Sequence, residues 1–151
     1  MQAKDNGREA TGQDRAGEKP QNIGARSLAY AVRAIKVYRA LVRQRDGAAR
    51  IIGKQYLRAA TSIGANVEEA QSAESRADFI HKYGIAQKEA RESLYGLRLM
   101  CEAAVMPGER LKPMMRETEE IYAVITAIIV AAKRKLKMKG VGSSAQDQAM
   151  E

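Results

Sequence analysis

Four successive stretches of this chain repeat apolar residues at intervals of three and four, and a turn signal closes each before the next begins. That spacing is the mark of a helix with one buried face. In the first stretch Leu28, Ala31, Val32, Ile35, Tyr38, Leu41 and Val42 form the stripe, and Asp46-Gly47 ends it. The second runs from about 48 to 73, with Ile52, Tyr56, Ala60, Ile63, Val67 and Ala70 inward. Gly53 and Gly64 each weaken it by about 1 kcal/mol relative to Ala, and Gly64 is read as a point of close helix approach. Ser75 and Asp78 have capping-box spacing and open the third helix. Its seven-residue pattern places Phe79, Tyr83, Ala86, Ala90, Leu94, Leu97, Cys101 and Ala104 inward until Met106-Pro107-Gly108 stops it. The fourth starts near Glu109 or at Pro113, with Leu111, Met114 or Met115, Thr118, Ile121 or Tyr122, Ile125, Ile128 or Ile129, Ala132 and Leu136 inward.

Helices of this length on short links fold by default as an antiparallel up-down-up-down four-helix bundle, an all-α class. Composition agrees, since the chain has no Trp, one Phe and three Pro, which disfavours sandwiches and barrels. Residues 1–25 are rich in Gly, Gln and charge, and cannot offset the entropy of ordering. They are expected to be a disordered tail, as are residues 140–151. The bundle domain is expected to span 26–139.

The lone Cys101 can form no internal disulfide, and no Cys/His cluster has metal-ligand spacing. The single His81 reads as a surface residue. No metal, cofactor or small-molecule substrate is expected. The N-terminal residues are charged and carry no signal-peptide core. The most apolar run, 121–132, falls short of the roughly 20 residues a membrane span needs, so a cytoplasmic protein without membrane contact is expected. That run is apolar nearly all round, more than one face of a corner helix can bury. Self-association through Ile121, Val124, Ile128 and Val130 is expected.

Formal net charge is +8, unevenly spread. Arg26, Arg33, Lys36, Arg39, Arg43 and Arg45 share a segment that has no acid until Asp46, and Lys133, Arg134, Lys135 and Lys137 follow the last apolar run. Such clusters favour anionic partners: RNA, DNA or acidic protein surfaces. Few aromatics lie near them for stacking, Tyr30 and Tyr38 alone, so phosphate contacts would dominate.

A polar line crosses the second and third helices: Arg58, Ser62, Asn66 and Glu69, then Lys88 and Glu92. Glu69 and Glu92 could in principle act as acid and base. No nucleophile, metal triad or phosphate-cradling loop accompanies them, so the line reads as a register-fixing network and no catalytic residue is assigned. The segments Arg58-x-x-x-Ser62-Ile63-x-x-Asn66-x-x-Glu69, Asp78-Phe79 and Ile85-Ala86-Gln87-Lys88-Glu89-Ala90-Arg91-Glu92 resemble the signature of the four-helix bundle proteins named for intervening sequences in bacterial 23S rRNA genes. The resemblance spans residues 27–137. Two positions depart from it: Gly96 stands where many relatives carry Trp, and Ala70 where others carry Gly. It implies a homopentamer. A more distant branch implies an accessory role beside the reverse transcriptase and RNA of diversity-generating retroelements.

Two functions stay open at this point. One is a non-enzymatic, self-associating bundle that binds RNA or DNA non-specifically through its basic surfaces. The other is a protein-interaction scaffold whose basic rim docks an acidic partner.

Overall fold

The computed structural model describes residues 22–147, with side chains through 141. Helix α1 spans Ile23–Val42, α2 Gly47–Gln71, α3 Arg76–Glu102 and α4 Gly108–Asp147, and no strand occurs among the described residues. The starts of α1, α2 and α3 each have a local cause. Asn22 accepts from the Gly24 amide at 2.8 Å, Asp46 from Ala48 at 2.9 Å and Ala49 at 3.3 Å, and Ser75 from Asp78 at 3.0 Å. The links are too short for anything but antiparallel neighbours, and contacts run α1–α2, α2–α3, α3–α4 and back to α1.

The core is a column of tyrosines, alanines and aliphatics: Tyr30, Leu41, Tyr56, Ile63, Val67, Leu97, Met100, Leu111, Ile121 and Ile125 are all at most 1 % exposed. Small residues set how closely the helices meet. A Cβ on Gly64 would stand 3.4 Å from Ser27 Cβ, and one on Gly96 3.4 Å from Tyr56 Cβ. Gly64 thus holds the close approach expected of it, and Gly96 makes a second one between α3 and α2.

Three expectations are corrected. The inward line of α1 is Ser27, Tyr30 and Ala34, one residue before the expected stripe, which it rejoins at Leu41, leaving Leu28 67 % and Val32 47 % exposed. The contact of Ser27 with Gly64 admits only a small side chain, which turns Leu28 outward. Ala104 lies beyond α3, in a left-handed turn at φ 52°, where Val105 N–H donates to Met100 O at 3.0 Å. Of the two expected starts of α4 the earlier holds, at Gly108 beside Glu109, so Pro113 lies in the second turn. Finally, α4 continues past residue 139 to Asp147, because extending an established helix costs far less than starting one. Residues 1–21 and 148–151, read as tail from sequence, lie outside the described residues. No helix among those described is long and apolar enough to cross a membrane.

Candidate functional site

The cations of the two expected basic clusters fall into three groups. Arg26 is nearly buried and committed: Nε donates to Glu117 Oε1 at 2.8 Å and Nη2 pairs with Glu120. Hydrogen bonding to Glu117 comes first among the effects that hold its guanidinium charged. Arg33 Nη2 reaches the same Glu117 at 3.7 Å. These two arginines tie α1 to α4 and are withdrawn from the candidate surface, because Glu117, with 5 % of its side chain exposed, needs their charge.

Lys36, Arg39, Arg43 and Arg45 are exposed on the last turns of α1 and the turn after it. Lys133, Arg134, Lys135 and Lys137 are exposed on α4. None of these eight pairs with a carboxylate among the described residues. Antiparallel topology sends them to opposite ends. α4 begins beside the end of α1 and runs back past its start, so its lysine-rich turns project beyond the α1 N-terminus.

The polar line along α2 and α3 exists, in altered form. Arg58 pairs with Glu92 at 2.9 Å and Glu89 at 3.4 Å, and Glu69 pairs with Lys82 at 2.7 Å. Ser62 donates to Arg58 O and Asn66 Nδ2 to Ser62 O, both at 2.8 Å, so these two bond to their own helix and do not cross to α3. Lys88 is exposed and joins nothing in the line; Lys82 takes the place it was expected to hold. The candidate acid–base pair is thereby split, with Glu69 and Glu92 each engaged by a different cation. His81 is exposed, and the described residues hold no cluster of His, Cys, Asp and Glu fit for a metal.

Sequence reasoning missed a hydroxyl chain at the centre. Tyr56 OH donates to Tyr30 OH at 3.2 Å, Tyr30 OH to Thr118 Oγ1 at 2.6 Å, and Thr118 Oγ1 to Met114 O at 2.6 Å. Ser93 of α3 is fully buried beside it, although its Oγ finds no hydrogen-bond geometry. Burial pushes the Tyr30 and Tyr56 phenols above the usual tyrosine range. The available signal was Tyr56 and Thr118, two hydroxyl-bearing residues on inward stripes of different helices, whose polar atoms must find partners inside the core. Tyr30, fully enclosed, cannot stack on a base.

The expected self-association residues are also divided. Ile121 belongs to the core of the single chain. Val124 and Ile128 are half-buried, while Val130 is 45 % exposed and continues an outer stripe with Ala123, Ala127 and Ala131.

Fold and surface define a class: a small four-helix bundle with a hydroxyl-bonded core, unneutralised cations at both ends and no assembled reaction centre among its described residues. The 23S rRNA-intervening sequence protein profile matches residues 22–127, and the chain belongs to that family. It is similar to the crystal structure of a protein of unknown function from the S23 ribosomal protein family of Bacteroides thetaiotaomicron. Identity is 39 %, with 72 % of this chain and 98 % of that one covered, at a TM-score of 0.68. Among curated proteins there is no match.

Proposed function

We propose that this protein is a non-enzymatic, self-associating bundle that binds nucleic acid through two separate basic ends. One observation carries the reading: eight exposed lysines and arginines, four at each end, with no described carboxylate pairing to them. Retaining unneutralised cations in clusters raises the local potential for polyanions. Spacing along a helix suits the phosphate backbone, which is contacted without sequence readout. Self-association is supported by apolar surface that one chain leaves wet, namely Leu28 and Val32 on α1 and Val130 on α4.

The test is a salt titration of RNA and DNA binding with light scattering on the same samples. Affinity falls steeply as salt rises, and mass exceeds one chain. Replacing Lys36, Arg39, Arg43 and Arg45 with Gln weakens binding to all sequences alike. Retention only of an acidic polypeptide, with no nucleic acid held at low salt, would overturn the proposal in favour of a protein scaffold.

A further inference from the structure

A groove of about 380 Å³ runs along the outside of the bundle between α3 and α4. Ala90, Leu94 and Tyr122 form its floor, Tyr95 its wall, and Arg91, Arg98 and Glu119 its rim. Tyr95 is 66 % exposed, an unusual place for a large ring with no aromatic partner among the described residues. Arg98 reaches Glu119 only at 3.5 Å, with both side chains more than half exposed, a contact water and salt readily loosen. Arg91, one helical turn from Tyr95, pairs with no described carboxylate and is exposed. The rim therefore carries a net positive charge over an apolar floor.

We infer that this groove takes one unpaired nucleobase of a single strand, stacked on Tyr95, with its phosphate held by Arg91 and Arg98. The inference rests on the nucleic-acid reading above and adds strand type to it. The volume lies at the small end of ligand sites, suited to a flat ring. Base stacking on an exposed aromatic, with arginine beside it, is how sequence-tolerant sites hold single strands. A duplex keeps its bases stacked inside and cannot insert one here without breaking a pair. A two-fold contact between copies at this groove would set Arg91 and Arg98 against their own equivalents, and a head-to-tail contact is distinguished by mass in the test below. Basic clusters alone would draw single strands and duplexes alike, so the groove makes a distinct claim.

The full chain has no Trp, so Tyr95→Trp gives a sole indole reporter in the groove. A short oligo-uridylate and an RNA duplex of equal length are titrated against it at low salt. The single strand quenches the indole and the duplex does not. Tyr95→Ala lowers single-strand affinity about tenfold with duplex affinity unchanged, and Tyr95→Phe restores it; circular dichroism confirms the fold of each. A silent indole and an unaffected Tyr95→Ala, with both RNAs still bound, would overturn the groove and spare the basic ends. Absence of binding by either RNA overturns the groove, and absence of binding by DNA as well removes both proposals. A fall in the mass of Tyr95→Ala by light scattering also overturns the inference, by making the groove a contact between copies.

Discussion

Tyr30 joins three helices at the centre of this bundle, because its hydroxyl both receives from Tyr56 and gives to Thr118. Thr118→Val keeps the volume but leaves that phenol without an acceptor in a site closed to water. Such an orphaned group costs about 1–3 kcal/mol, to be read as a lowered urea midpoint. Adding both Tyr30→Phe and Tyr56→Phe to Thr118→Val recovers part of the loss, since no unmet donor of the chain is then left. The phenols also set an alkaline limit. Their folded pKa is raised, so the unfolded chain releases its protons first, near the ordinary tyrosine pKa of about 10. Their share of stability is complete below that pH and drains away as pH climbs above it. Thermal melts of Tyr30→Phe/Tyr56→Phe fall less steeply above that pH than those of the parent chain. At this scale the sequence was half legible: Tyr56 and Thr118 sat on inward stripes, but periodicity says nothing about which hydroxyl meets which.

Helix identity was the most readable level, and helix ends the next. Caps at Asp46 and Ser75 follow from side chains that bond their own backbone, which needs no tertiary knowledge. Facing was harder. The α1 stripe shifted by one residue because Ser27 must meet Gly64 across the α1–α2 contact, a fact held in another helix. The same limit hid Arg26. Its neighbours in sequence contain no acid, so it read as free, whereas Glu117 and Glu120 come to it from α4, more than ninety positions away. Arg26→Ala takes from the nearly buried Glu117 its shortest described ion pair and leaves the longer contact to Arg33 in place. Breaking such a pair costs about 3 kcal/mol, the low end for a buried ion pair because Arg33 remains. Hydrogen exchange should quicken first along α1. In the opposite direction, Ala104 holds a left-handed φ of 52° that glycine adopts freely. Ala104→Gly stabilises the chain by about 1 kcal/mol, visible as a raised melting temperature with an unchanged denaturant slope.

Across the whole molecule, a linear sequence cannot tell that its two basic runs end up far apart. Topology decides it. α4 has 40 residues against 20 in α1, and it starts where α1 ends. Lys135 therefore stands about 40 Å along the bundle from the Arg39 end, at about 1.5 Å per helical residue. A duplex advances about 3.4 Å per base pair, so one of fewer than about twelve pairs cannot reach both clusters. With four cations at one end neutralising phosphates, the logarithm of affinity falls against that of salt with a slope of about −3 to −4. Once the duplex is long enough to engage both ends, the slope approaches twice that. Replacing Lys133, Arg134, Lys135 and Lys137 with Gln abolishes the dependence on length while leaving the short-duplex slope in place. Equal slopes for short and long duplexes in the parent chain would mean that only one end meets nucleic acid. The variant that loses binding in that case, at α1 or at α4, names which end it is.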